Sequence, residues 1–462
     1  MIDYLQTLRD RPVWRETPEH VRERFRHALP RGPRPFGDVL KEFEAYVRPY
    51  VTGNGHPLFM GWVHGAGTPV GMIADMLAAG LNPNCGGRNH IGIDVERQAA
   101  LWVAEILGFP RQSSGLFVTG SSMANLIGVL VARSSALGSE VRTTGLQGLK
   151  QRLVAYASSE THHCIVRAIE IAGLGSDNLR VIPVDSSRRT LRTDILVDRI
   201  EEDRAAGHVP FLVVGTAGTV NSGAIDPLDE IAEIASAKGL WFHVDGAIGA
   251  AAMLSPALRP LMKGLERADS AALDFHKWMH VPYDAGFVSV RDASLHLDTF
   301  ASEAAYLSRA KVGLAGGDVW PCDLGPDLSR GFRALKVWFA FQTYGADRIG
   351  KCAEKNCLAA TYLAERLAED GSFELRAPVV LNIVCFGIKG ERSGRANRTL
   401  VERLHLSGRA APSVTYLDAQ PVIRAAIVNH RTTREDIDEF VRAIGELVSS
   451  EGPLPVEAIA SS

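Results

Sequence analysis

The apolar positions of this chain recur in two alternating rhythms. Short runs such as "GLFVTG", "RLVAYAS", "LRVIPVD", "PFLVVGTAG" and "LWFHVDGA" are rich in Val, Ile, Leu and Phe. Between them stand segments whose apolar residues lie three and four apart: "SSMANLIGVLVARSSAL", "HCIVRAIEIAG" and the stretches 193–206 and 227–238. Near-continuous apolar strands alternating with helices predict a largely parallel sheet covered on both faces, because such a strand has no polar side to turn to water. "ADSAALDFH" reads as a further strand. Two Ala-rich helices over 68–82 and 92–108 precede the alternation, and a long helical stretch begins near 328. The chain closes with "VVLNIVCFGI", "PVIRAAIVN" and a helix over 433–449. The pattern predicts an α/β protein in three parts: a helical arm over 1–60, a large sheet domain over 61–327 and a small α/β domain over 328–462. The arm reads as two amphipathic helices, with "TPEHVRERFRHAL" opening on a Thr-Pro start. Too short to bury a core alone, it is expected to pack on the main domain or on a partner.

Composition removes several function classes. The chain has 462 residues, 46% hydrophobic and 22% charged, with a net charge of -3. These are globular values, and they leave no basic footprint for nucleic acid. No run approaches the ~20 apolar residues of a membrane helix, and the N-terminus has no apolar signal core. A cytoplasmic protein with neither membrane nor nucleic-acid partner is the expectation. Six scattered cysteines include no C-x-x-C pair, so reduced thiols and no metal site are expected.

Open parallel sheets bind ligands at the carboxyl ends of their strands, so the residues there matter most. After "GLFVTG", Ser121, Ser122 and Met123 open a helix. Its free N–H groups suit a phosphate, although a plain serine cap reads equally well. After "RLVAYAS" come His162 and His163. Adjacent histidines project apart, so a ring-stacking or capping role is expected, not a metal. Thr216 and Thr219 follow "PFLVVG", among small residues that let a flat ligand approach the backbone. Asp245 ends the next strand, where a buried carboxylate is costly unless a cation meets it. His276 and Lys277 follow the last. A phosphate cradle, an imidazole, hydroxyls, a carboxylate and an amine together suit one ligand, pyridoxal 5′-phosphate (PLP). Its aldehyde bonds a lysine, and its ring is an electron sink when an aspartate keeps the pyridine nitrogen protonated. No G-x-G-x-x-G follows the first strand, which disfavours a nicotinamide site.

The constellation resembles the PLP-dependent group II amino-acid decarboxylases, including the bacterial enzymes that act on aromatic amino acids. The resemblance spans the chain from "HPLFMGW" to the last helix, and is most specific in "WFHVDGAIGA" followed by "DSAALDFHKWMHVPYDAG". It implies the type I, aspartate-aminotransferase-like fold, with a mostly parallel seven-stranded sheet and a small C-terminal α/β domain. It implies a homodimer with active sites at the subunit interface. By the same resemblance, Lys277 bonds the cofactor and Asp245, 32 residues earlier, faces the pyridine nitrogen. His162 stacks on the ring and Ala247 packs its other face. Ser121, Ser122 and Met123 hold the phosphate, with Thr216, Thr219, His276 and Arg330 nearby. Trp62, Val63 and His64 line the substrate side. Tyr306, in the Gly/Ala/Ser-rich stretch 299–324, protonates the substrate carbon after CO2 leaves. The expected reaction is decarboxylation of an L-amino acid to its amine, with an aromatic substrate favoured. A branched aliphatic or other substrate, or an oxidative aldehyde synthase, are the alternatives. Departures from the family pattern, Phe275 before His276, Ile248 after Ala247 and "GWVHGAG" at 61–67, bear on the substrate more than on the cofactor.

Overall fold

Six of the short apolar runs and one further strand pair into one sheet in the computed structural model, which describes residues 1–302, 309–317 and 319–449. Tyr306 and the tail from 450 onward lie outside the described residues. The strands are β1 (Ser114–Val118), β2 (Leu153–Ser158), β3 (Leu179–Ile182), β4 (Val209–Thr216), β5 (Trp241–Asp245), β6 (Ser270–Asp274) and β7 (Gly286–Val290). Their order is β1-β7-β6-β5-β4-β2-β3. Only β7 runs antiparallel to its neighbours. Both faces are buried, as the apolar runs require. Tyr156, Val213, Phe242 and Val244 point into one core, and Ala155, Ala157, Leu212 and Val214 into another. The sequence reading had no separate β7. It follows β6 directly, with no helix between, so the βα alternation gives no cue to it.

A second sheet, ordered β10-β11-β9-β8, is antiparallel throughout: β8 (Phe373–Leu375), β9 (Ile383–Ile388), β10 (Ser413–Leu417) and β11 (Gln420–Ala426). Val384, Phe386, Ile423 and Ala425 face the helices Ala346–Asp370, Arg395–Ser407 and Arg434–Ser449. The alternate residues Ile383, Cys385, Val422 and Ala426 belong to the core of the large sheet. Period-two side-chain alternation thus fuses the small unit to the large one.

The arm departs from expectation. Only Glu19–Glu23 of "TPEHVRERFRHAL" is helical, and Phe25 and Leu29 are exposed. Helices this short are marginal without a surface to pack on. The helix Phe36–Tyr46 forms but buries no residue of its own.

Candidate active site

The lysine turn is fixed from below by aromatics. Phe275, 1% exposed, stacks on Phe117 at 5.6 Å between ring centroids. Trp278, fully buried, donates its indole N–H to Asn356 at 2.9 Å. Between these anchors Lys277 is turned upward, and its Nζ lies 2.9 Å from Asp274. Burial alone would favour the neutral amine, but the charge and hydrogen bond of Asp274 outweigh it and raise the lysine pKa above its ordinary value. Burial pushes the Asp274 carboxyl up; Lys277, His276 and the Ser121 hydrogen bond outweigh it and hold the group below the usual range. Asp274 also accepts the backbone N–H of Ser121 at 2.7 Å. It therefore ties the lysine to the start of the helix Ser121–Leu137.

Asp245 ends β5 and is 3% exposed. One oxygen accepts the Ala247 N–H at 3.1 Å; the other meets the Cys164 thiol at 3.9 Å. Burial raises the carboxyl pKa, opposed by the charge of Lys277. Behind it runs a buried relay. Asn125 donates to Cys164 at 3.2 Å and meets His243 Nε2 at 2.7 Å, while His243 Nδ1 meets Ser270 at 2.7 Å. Burial holds the Cys164 thiol protonated, its pKa pushed up to about 12, and drives His243 down to about 3. His162 caps the helix His163–Ile171, its Nδ1 accepting the Cys164 N–H at 3.2 Å. Burial lowers its pKa, so it presents a neutral imidazole whose proton the Nδ1 contact assigns to Nε2.

These groups share one cleft of about 490 Å³ at the carboxyl ends of the strands. Of the residues singled out from sequence, Trp62, Val63, His64, Ser121, Ser122, His162, Thr216, Asp245, Ala247, His276 and Lys277 line it. Three do not. Met123 packs beside the Leu116 and Val118 cluster, and its N–H is bonded to Gly120. The Thr219 hydroxyl is spent on Ser222 at 3.1 Å. Arg330, expected near the phosphate, is also absent from the cleft lining. Its guanidinium is buried against Glu96 and donates to the carbonyls of Cys85 and Phe117 at 2.8 and 2.6 Å. The bond to the Phe117 carbonyl braces the end of β1.

Several ionisable residues near the cleft were not read from sequence as site residues. Asp274, Cys164 and Tyr283 line it. Arg424 lies buried behind Val220, whose carbonyl it meets at 2.5 Å. The Tyr283 ring packs on His276 at 4.3 Å between centroids. Only for Asp274 did a signal exist: three residues before Lys277, it shares one turn with the amine.

The donor set fits PLP. An amine, a buried carboxylate and a neutral imidazole stand at three strand ends, and the Ser121 hydroxyl is buried without a partner in hydrogen-bonding geometry. Fold and site together define a type I PLP enzyme. Residues 18–389 match the model of the pyridoxal-dependent decarboxylase conserved domain. An aromatic-L-amino-acid decarboxylase of Bacillus atrophaeus is 32% identical, covering 99% of this chain and 95% of that protein. A phenylacetaldehyde synthase of Arabidopsis thaliana is 29% identical, over 97% and 93% of the two chains. The crystal structure of Oryza sativa TDC with PLP and tryptamine superposes with a TM-score of 0.89 at 26% identity, covering 96% of this chain and 95% of that one. The chain belongs to the pyridoxal-dependent decarboxylase family, and is a carboxy-lyase acting on an amino acid with PLP as cofactor.

Proposed function

We propose that this enzyme decarboxylates an aromatic L-amino acid to the corresponding amine. The observation that carries the reading is the wall beside Lys277. Trp62 and His64 line the cleft there and stack at 5.7 Å between centroids, Tyr283 meets His64 edge-on at 6.2 Å, and the buried Phe59 stacks on His64 at 5.7 Å. Planar walls suit planar side chains. Among the described residues, no arginine lines the cleft to receive a side-chain carboxylate.

PLP bound here supplies the electron sink for the carbanion left when CO2 departs. The chain supplies the rest. Lys277 would be the amine that holds the cofactor. Asp245, in its water-poor site, keeps a proton on the pyridine nitrogen. His162 offers an uncharged imidazole face to the ring. Ser121, Ser122 and the helix they open receive the phosphate. Tyr306 delivers the proton to Cα.

The aldehyde-forming reaction of the Arabidopsis thaliana relative makes product identity the decisive measurement. Incubated in air with pooled L-amino acids, the reconstituted enzyme is expected to yield one amine, lighter than its substrate by CO2 and seen by mass spectrometry. An aldehyde with oxygen uptake would sink the amine reading; an aliphatic amine would sink the aromatic one. Tyr306→Phe is expected to shift product from amine toward aldehyde. An unchanged ratio would remove Tyr306 from the proton-donor role.

We propose further that the enzyme is a cytoplasmic homodimer, built from an arm over 1–60, a large domain over 61–327 and a small domain over 328–462.

A further inference from the structure

A second polar cluster lies outside the cleft. Three residues beyond Lys277, His280 is 4% exposed, and neither of its ring nitrogens has a hydrogen-bond partner. The ring of His430 meets it edge-on, with centroids 4.9 Å apart, and His430 Nδ1 is also buried and unpartnered. So is Nη1 of the adjacent Arg431. Among the described residues no carboxylate pairs with any of the three. The charged or ionisable groups that act on them are one another, Arg9 and the Tyr344 phenol. Arg9 is itself matched by Asp436 at 2.9 Å.

Arg431 is half-buried, and its Nη1, shut off from water, has neither a hydrogen-bond partner nor a carboxylate beside it among the described residues. Taking even part of a charge out of water without a counter-charge is costly. A bridging water would satisfy an N–H but would leave the charge uncompensated. A metal cation is disfavoured by Arg431, and no cluster of three ligating side chains exists among the described residues. An anion meets every condition, because each imidazole can turn an N–H toward it and Arg431 supplies the charge. Rings whose centroids lie only 4.9 Å apart suit a halide-sized ion better than a tetrahedral oxyanion.

We propose that His280, His430 and Arg431 bind a single halide-sized inorganic anion. The ion would join the lysine turn to the end of β11. The N-terminal arm is already tied there, through Arg9 bonded to the Arg431 carbonyl at 2.7 Å. The site is independent of which amino acid the enzyme consumes.

The test uses the PLP-loaded full-length enzyme and bromide. Crystals grown in sodium bromide should show an anomalous peak within hydrogen-bonding distance of His280, His430 and Arg431 Nη1. In solution, bromide added at constant ionic strength against gluconate should raise the thermal midpoint. Arg431→Gln and His430→Gln should each weaken that bromide dependence roughly tenfold or more, as loss of a hydrogen bond to a charged group implies. Density for an ordered water only, with no anomalous signal, would overturn the proposal. So would a bromide response unchanged in both variants. If the variants do not fold, the anomalous peak in the unaltered enzyme decides the matter alone.

Discussion

Lys277 has two carboxylates within electrostatic reach, and the nearer is not the one that faces the pyridine nitrogen in the proposed site. Asp274 sits 2.9 Å from its amine. The amine must be neutral to attack an aldehyde, yet Asp274 holds it protonated above its ordinary range. The raised lysine contributes stability that is present at neutral pH and is lost as pH rises through its folded pKa. The lowered Asp274 contributes stability that is present at neutral pH and is lost as pH falls through its own. Asp274→Asn should therefore lower the unfolding free energy at neutral pH by about 1.5–3 kcal/mol, the worth of a hydrogen bond between charged groups, since the carboxylate is buried but the lysine side chain is 23% exposed. It should also move the pH profile for PLP uptake to lower pH, because less alkali is needed to free the amine. Uptake is read from cofactor absorbance across pH. A profile unchanged in the variant would show that Asp274 does not govern the lysine.

At the scale of elements, legibility followed whether a residue's role was local. Asp245 ends a strand with a clear apolar run, and His162 and Lys277 follow such strands within four residues, so position along one strand implied the cleft. The helix Ser121–Leu137 forms over the whole span read from its spacing. Arg330 could not be placed that way. Its partners come from the helix Ile91–Leu107, from β1 and from Cys85, and no sequence spacing announces contacts between segments more than two hundred residues apart. The same holds for β7, whose place between β1 and β6 is a matter of topology. The guanidinium of Arg330 is 1% exposed and the Glu96 carboxylate 4%. Arg330→Met should thus strand a buried carboxylate and cost roughly 3–5 kcal/mol, read as a shift in the urea midpoint at unchanged slope. Glu96→Gln combined with Arg330→Met should recover part of the loss, since the stranded charge is gone. Purely additive losses would mean that the two side chains are not coupled.

The whole molecule carries two apolar stripes that its own fold leaves uncovered. On the helix Phe36–Tyr46 they are Phe36, Val39, Leu40 and Phe43, and on the helix Pro69–Leu81 they are Ile73, Met76, Leu77 and Leu81. The spacing of three and four is that of a face made to be buried, yet Phe36 is 79% and Met76 66% exposed. Burying one such side chain gains about 1.5–3 kcal/mol, so two stripes amount to a substantial driving force for association. The stripe on the arm explains why a helix with no buried residue belongs to the fold at all. A second copy of the chain is the partner we propose. The 50.0 kDa chain should then sediment at twice its mass at micromolar concentration. Phe36→Asp with Leu40→Asp should give a monomer with unchanged far-ultraviolet circular dichroism and little activity, because the proposed active site is shared between subunits. A wild-type monomer would refute the dimer. A monomeric variant with full activity would leave the dimer standing but place each active site within one chain.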